Sequence, residues 1–457
     1  MLIKKIRKAR AFGTAAILLP LSILTGCSSI CVDPDPRVCP AGSTYTSGAP
    51  RVDEIDASGR RAVPLRQDPP PAPATPAAPR PDPADGIQTA PIQLYDRDAP
   101  PAAPAAATLP AADAATAAPA AAGTRIALLL PMNSPSLGGA AESVRAGFMA
   151  SYERDGSGLQ VELVPTGDSP EDTLAAYARA AASHDVVVGP LARPAVTALA
   201  AGGPLAKPTI ALNHPEQRGA LPPGLLVAGL SLEDEAAQVA DWAARAHPQG
   251  RALILTGGAA WAQRSASAFE ARWSALGRTS QRFAVPSADG RVEPSTIDTL
   301  RDRLEIDPPD LLFAALDVVE LRQLASHDGA QACTTIPCYG GSSVNPGRGA
   351  GTSLPELNGL RLVDIPWLVQ PDNSAVMVYP RPDESARPLY MSRLYALGID
   401  AFRVAREAAL HPGAPIAIDG VTGQLATDGN GESSRLLRRE TPAVYRDGNF
   451  QPADSGG

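Results

Sequence analysis

Short apolar runs alternate with longer amphipathic segments along the chain from Thr124 to about residue 326. The first run, Ile126–Leu130, ends at a proline and is typical of a strand buried in a parallel sheet. The next segment, 140–154, repeats its large apolar side chains every fourth position, at Val144, Phe148 and Tyr152, which predicts a helix with one buried face. Ser169 followed by Pro170 and two acidic residues predicts the start of another helix.

The same alternation continues to residue 326 and predicts an α/β fold with parallel sheets. Further strands are expected at 159–164, 185–189, 208–212, 225–230, 251–256, 281–285 and 310–315. Further helices are expected at 170–183, 194–201, 232–246, 260–276, 296–304 and 317–326. Two such runs of similar length predict two similar lobes, the first beginning at 124 and the second at about 231.

The last third of the chain predicts a strand near 360–365 that leads into a crossover, followed by a long helix at 386–410. Two alternating segments, 421–427 and 436–445, flank the turn sequence Asp428-Gly429-Asn430-Gly431 and predict a hairpin. We therefore expect a head at 124–450, with 124–230 and 366–450 in the first lobe and 231–365 in the second.

The first 26 residues have the layout of an export signal. Five basic residues within 1–10 precede an apolar run at 11–25, which is shorter than the roughly 20 residues needed to span a bilayer. The run ends in Leu24-Thr25-Gly26-Cys27, which is typical of a lipobox. We expect cleavage before Cys27 and acylation of its thiol; a plain signal peptide with a chance cysteine is the alternative. Ser28, rather than aspartate, favours the outer membrane.

Residues 27–123 predict a lipidated N-terminus followed by a disordered tether. From about Pro40 to Gly123 the sequence is dominated by proline and alanine and lacks large apolar residues to bury. At about 3.1 Å per residue where proline is dense, about 80 residues can reach well over 100 Å. The tether would hold the head far from its anchor.

The net charge of the chain and the motifs it lacks argue against several classes of function. Removal of the signal, which carries five basic residues and no acid, takes the formal net charge from −8 to −13, which argues against nucleic-acid binding. No nucleophile elbow, zinc-binding helix or phosphate-binding loop is present. We therefore expect neither enzyme activity, nor a metal, nor a cofactor. The histidines occur singly, at His184, His214, His247, His327 and His411.

The five cysteines predict one lipidation site and two disulfides. Apart from Cys27, they form two local pairs, Cys31 with Cys39 and Cys333 with Cys338, and an even number suits an oxidising compartment. Free thiols are the alternative.

Polar residues that follow the first-lobe strands are candidates for a ligand-binding cleft, because ligands of open α/β sheets bind beyond the carboxyl ends of strands. These residues are Ser134, Ser136, Gly189 and Asn213. The alternative is that they are ordinary turn residues.

The predicted two-lobed architecture resembles that of type I periplasmic binding proteins. Within that class, the sequence resembles lipoprotein activators of class A penicillin-binding proteins, the LpoA/LppC type, over about 125–450. The sequence segments that carry the resemblance are Ile126–Met132, Arg145–Phe148, Val187–Leu191, Asp364–Trp367, Arg393–Ala401, Gly420–Leu425 and Tyr445–Gly448. Members of that family carry an N-terminal helical-repeat domain, whereas this chain has the Pro/Ala tether in that place.

The resemblance implies a lipid-anchored periplasmic regulator that contacts and stimulates a peptidoglycan synthase. Two alternatives stay open at this point. One is a lipoprotein that binds an amino acid, amide or muropeptide between its lobes, and the other is a structural lipoprotein with a degenerate receptor fold.

Overall fold

The structure is a computed structural model that describes residues 123–453, except 218, 327, 348–353, 383–387 and 428–434. The predicted export signal, Cys27, Cys31, Cys39 and nearly all of the tether lie outside the described residues, as does His327. All described residues belong to one unit, Pro110–Gly457.

The first lobe is a parallel sheet with helices on both faces. Its elements are β1 (Thr124–Leu130), α1 (Gly138–Asp155), β2 (Leu159–Pro165), α2 (Pro170–Ser183), β3 (Val186–Val188), α3 (Arg193–Ala201), β4 (Thr209–Ala211) and β5 (Leu225–Val227). The strand order is β2-β1-β3-β4-β5, and every pairing is parallel. The α/β class predicted from the alternation is confirmed.

The second lobe repeats this plan. Its elements are α4 (Leu232–Ala246), β6 (Ala252–Gly257), α5 (Ala260–Ala275), β7 (Ser280–Val285), β8 (Ser287–Ala288), β9 (Arg291–Val292), α6 (Pro294–Ile306), β10 (Leu311–Ala315), α7 (Val318–Ala325), α8 (Ala332–Thr335), β11 (Cys338–Gly340) and β12 (Arg361–Asp364). Strands β7, β6, β10, β11 and β12 pair in that order, all parallel. Short 3-10 turns lie at Ser342–Val344 and Pro355–Leu357.

The C-terminal elements are shared between the lobes. They are α9 (Pro366–Val369), α10 (Ser374–Met377), α11 (Leu389–Leu410), β13 (Ala417–Gly420), β14 (Gly423–Thr427), β15 (Leu436–Arg439), β16 (Thr441–Arg446) and β17 (Asn449–Pro452). Helix α11 and the antiparallel sheet β13-β14-β15 pack on the first lobe.

The structure differs from the prediction that the whole segment 366–450 belongs to the first lobe. Strands β14 and β15 pair as the predicted hairpin, but β16 pairs antiparallel with β12, and β17 with β16, in the second-lobe sheet. The segment 366–450 therefore does not belong wholly to the first lobe. The alternation of apolar and polar residues at 441–446 predicts a strand. It does not indicate the sheet edge with which that strand pairs.

Helix starts follow the local chemistry expected of them. The Ser169 and Ser231 hydroxyls accept hydrogen bonds from the backbone N–H groups of Asp172 and Asp234, 3.2 and 3.1 Å away. Asp317 and Glu320 form a reciprocal capping box at the start of α7. Local sequence thus fixes where these helices begin.

Close packing of α1 against α11 joins the first-lobe sheet to the C-terminal part. A Cβ atom on Gly147 would overlap the carbonyl oxygen of Tyr395, and one on Gly398 would overlap that of Val144. The rings of Phe148 and Phe402 lie edge to face between the same helices, 5.3 Å apart. Two glycines thus allow an approach that any larger residue would prevent.

Candidate functional site: the crossovers and the cleft between the lobes

The chain crosses between the lobes three times, after β5, after β12 and between β15 and β16. Arg438 ties two of these crossovers together. Its guanidinium donates hydrogen bonds to the carbonyl oxygens of Ala228 and Gly229, at 2.6 and 2.7 Å, and to Oγ1 of Thr422 at 3.1 Å. Burial lowers the pKa of Arg438, and the nearby Glu440 carboxyl opposes that shift.

An ion pair between a fully buried carboxylate and a largely buried guanidinium marks the second crossover. Asp364, at the end of β12, has no solvent exposure, and Arg393 of α11 donates to both of its carboxylate oxygens at 2.6 and 3.2 Å. Asn345 donates to the same carboxylate at 2.6 Å, and Arg393 also donates to the carbonyl oxygen of Ser342 at 2.9 Å. Burial disfavours the cation, but Asp364 raises the pKa of Arg393 overall.

Two further carboxyl groups are buried beside this pair. Glu235 of α4 is 3% exposed and accepts hydrogen bonds from the backbone N–H and hydroxyl of Ser342, at 2.7 and 2.9 Å. Burial, reinforced by repulsion from Asp364, raises the pKa of Glu235 to about 7. Burial also raises the pKa of Glu440 well above its usual range, and its Oε2 has no hydrogen-bond partner. The crossovers therefore contain one carboxyl group, Glu235, that titrates near neutral pH and a second, Glu440, whose pKa burial raises in the same direction.

We call Glu235, Asp364, Arg393, Arg438 and Glu440 the crossover cluster. No local pattern in the sequence predicts this cluster. Asp364 and Arg393 lie within the segments that resemble the family, but no local sequence pattern gave either residue a role. Glu235 stands in an acidic first helical turn, which ordinarily faces solvent. Its burial depends on Ser342, 107 positions later in the chain.

The four residues predicted for the cleft make contacts within loops. The Ser134 hydroxyl accepts from the N–H of Leu137 at 2.8 Å and lies 3.3 Å from the hydroxyl of the exposed Ser136. Asn213 donates to the carbonyl oxygen of Leu191 at 3.1 Å and accepts from the N–H of His214 at 2.9 Å.

Gly189 has a backbone role. Its φ is 113°, and a Cβ atom there would overlap the carbonyl oxygen of Leu129. Like Ser134 and Asn213, it makes the contacts expected of a turn residue. A role for any of the four in binding a ligand stays a prediction, and none of them lines the two cavities that follow.

Two cavities lie at the first-lobe side of the crossovers. The first, which we call the α3 cavity, has a volume of about 260 Å³ and is lined by residues that include Arg193, His214, Leu221, Ser231, Glu233 and Arg435. The second, of about 440 Å³, opens between the lobes and is lined by Arg193 and Glu216 on one side and by Gln263 and Arg264 on the other. Arg193 and Glu233 border both.

Among the histidines and cysteines that the structure describes, His214 alone lines one of these cavities. Burial lowers the pKa of His214, whose Nε2 donates to the carbonyl oxygen of Gly229 at 3.0 Å. Cys333 and Cys338 are joined as a disulfide within the second-lobe core, with their Cα atoms 5.1 Å apart. In the part of the chain that the structure describes, no helix is long and apolar enough to cross a membrane.

Comparison with known proteins places the chain in a family. A family model described as "LppC putative lipoprotein" matches residues 86–292 and 295–448, most of the chain. The chain belongs to this lipoprotein family.

Three curated relatives carry the name penicillin-binding protein activator LpoA. The protein from Photobacterium profundum is 26% identical over 359 residues, which cover 72% of this chain and 57% of the relative. The protein from Haemophilus ducreyi is also 26% identical, over 71% of this chain and 53% of the relative. This LppC-family chain thus spans about half the length of the curated relatives it matches.

Solved structures share the two-lobed, periplasmic-binding-protein-like fold. The C-domain of LpoA from Haemophilus influenzae, described as a regulator of PBP1A, superposes with a TM-score of 0.57 at 23% identity, over 72% of this chain and 100% of that domain. A structure titled as a putative branched-chain amino acid ABC transporter, from Chromobacterium violaceum ATCC 12472, also gives 0.57, at 32% identity over 70% of this chain and 100% of that one. The fold expected from the resemblance is confirmed.

Proposed function

We propose that this chain is a lipid-anchored periplasmic protein that binds and activates a peptidoglycan synthase, a class A penicillin-binding protein. The observation that carries the proposal is the LppC family match across residues 86–292 and 295–448. The names of the curated relatives support activation of a penicillin-binding protein as the activity. The LppC match covers nearly all of the two-lobed head, and on that ground we assign synthase contact to the head.

The anchor in this proposal is Cys27, and its location is the outer membrane. Each buried methylene of an acyl chain contributes about 0.8 kcal/mol, so several chains on one cysteine hold a protein at a membrane almost permanently. Ser28 after the lipidated cysteine supports the outer rather than the inner membrane.

The Pro/Ala-rich tether connects anchor and head. A head held within a fixed distance of the membrane has a high effective concentration at any partner that lies within the tether's reach. The tether therefore lets a protein in one membrane regulate a synthase in the other. We propose that the head acts by contact rather than by catalysis.

The proposal is tested with the acyl-free mature protein and the class A synthase of the same organism. We expect the two to bind in a pull-down and the rate of glycan polymerisation or peptide crosslinking to rise on addition of the protein. A chain ending at residue 122, which keeps the tether and lacks the head, is the matched control and should do neither. Absence of both binding and stimulation by the full mature protein would contradict the proposal.

The anchor is tested separately with Cys27→Ala expressed in cells. We expect the unmodified protein to incorporate labelled palmitate and to fractionate with outer membranes, and the variant to do neither. If the Cys27→Ala protein stays with the outer membrane and still takes up label, lipidation at this cysteine is wrong.

A further inference from the structure

We propose that the α3 cavity is a binding site for a small aliphatic carboxylate, with Arg193 and Arg435 as its cationic contacts. The inference goes beyond synthase activation and does not depend on it, because the cavity is defined by its own residues. Nothing in the family match assigns a ligand to these residues.

The guanidinium of Arg193 has hydrogen-bonding capacity that the described residues do not use. Its Nε is buried and has no acceptor, and Nη2 reaches only the carbonyl oxygen of Pro215 at 3.4 Å. A buried donor without a partner costs about 1–3 kcal/mol. An oxyanion in the adjoining cavity would supply acceptors for this planar group, which matches carboxylate geometry.

Arg435 is the second cation at this cavity, and its surroundings differ from those of two arginines on α5. Within the described ranges it forms no ion pair, whereas Arg264 and Arg272 of α5 bind Glu233 and Asp241, each at 2.7 Å. Glu233, on the cavity wall, already has Arg264 as a cationic partner. The charge left for a ligand to balance is therefore positive.

The remaining lining favours a carboxylate with a small apolar group over inorganic phosphate. Leu221 and Val227 contribute aliphatic surface beside the arginines. His214 is kept neutral by burial, and because its Nε2 donates to Gly229, its other ring nitrogen is an acceptor rather than a second donor. A volume of about 260 Å³ equals that of roughly nine water molecules at about 30 Å³ each, enough for a short peptide end.

A ligand in the α3 cavity would contact residues of both lobes. Arg193 belongs to the first lobe, Ser231 lies in the first crossover and Glu233 lies in the first turn of α4. Arg193 also lines the opening between the lobes, which gives a route for the ligand. A bound carboxylate would thus contact groups on either side of a crossover.

The experiment uses the full mature protein and two probes that differ only in charge, N-acetyl-alanyl-alanine and its C-terminal amide, with inorganic phosphate as a third. We expect isothermal titration to show saturable binding of the free acid and none of the amide, at concentrations up to about 10 mM, beyond the range of weak small-ligand sites. We expect Arg193→Gln and Arg435→Gln each to weaken binding of the acid by about tenfold or more. Arg272→Gln, a paired arginine outside the cavity, should leave it unchanged.

Each other outcome overturns the inference. No binding of the acid means that the cavity holds solvent only. Equal binding of the acid and the amide would show that the site does not recognise the carboxylate. Binding of phosphate alone would show that the site takes a different anion. Retained affinity in both arginine variants would place the site elsewhere. Because the amide control uses the unsubstituted protein, the result does not depend on whether the variants fold, and synthase stimulation can succeed or fail independently.

Discussion

Two pairs of arginines near the crossovers have opposite surroundings. Arg393 and Arg438 are bonded to a carboxylate, to backbone carbonyls and to a hydroxyl, whereas Arg193 and Arg435 line a cavity and form no ion pair with described residues. The first pair joins segments that are far apart in sequence. The difference separates charges that hold the fold together from charges that are available to a ligand, although all four residues look alike in the sequence.

The largest expected effect comes from Arg393→Met. Removing this guanidinium leaves the Asp364 carboxylate buried without its cation, which costs about 3–5 kcal/mol. Urea denaturation at neutral pH measures the loss. Arg193→Met is the matched control and should change the free energy of unfolding by less than about 1 kcal/mol. Equal losses in the two variants would break the comparison.

A smaller loss is expected for Arg438→Met. Two buried carbonyl oxygens and the Thr422 hydroxyl lose their donor, which costs about 2–3 kcal/mol in the same assay. Arg435→Met, three positions earlier in the chain, should have no measurable effect on unfolding. A destabilised Arg435 variant would show that this arginine also has a structural role.

The crossover cluster should make stability depend on pH through Glu235. Its pKa is about 7 in the folded protein, against an ordinary value of 4.5, so the folded state binds more protons between these values. The stability that this group contributes is fully present below pH 4.5 and is lost as the pH rises to about 7, by at most roughly 1.4 kcal/mol per pH unit.

Glu235→Gln, which mimics the protonated side chain, should flatten this fall without abolishing it, because the pKa of Glu440 is raised in the same direction. Thermal unfolding of both proteins at several pH values between about 5 and 8 gives the slopes. Identical slopes would show that Glu235 does not titrate in this range.

The smallest effect is expected in the cleft loops. Ser134→Ala removes the acceptor for the N–H of Leu137 and should cost about 1 kcal/mol, whereas Ser136→Ala at the exposed position should cost nothing measurable. If Ser136→Ala weakens binding of the acetylated dipeptide while the Arg193 variant does not, the ligand lies where the sequence predicted it.

Much of the fold could be predicted from the sequence because its strands and helices are coded locally. Apolar runs such as Ile126–Leu130 and caps such as Ser231 depend only on near neighbours in the chain. Strand β11, Cys338–Gly340, was not predicted because two glycines follow Tyr339 and leave no apolar run, whereas the equally short β3, Val186–Val188, lies within one.

The crossover cluster could not be predicted for a different reason. Glu235, Asp364 and Glu440 come together only when three segments that are distant from one another in the sequence fold together. A buried glutamate has no signature in its own sequence neighbourhood. The unpaired state of Arg193 is likewise a property of the assembled cavity rather than of the chain around it.

Because β16 and β17 pair within the second-lobe sheet, that sheet cannot form fully until both strands have been synthesised. Synthesis delivers these strands after every other strand of the second-lobe sheet, so the β12 edge of that sheet stays unpaired until β16 has been made. A chain cut after residue 440 would leave the backbone groups of β12 open to pairing with another molecule. Premature termination between β15 and β16 should therefore yield aggregates rather than a shortened but soluble head.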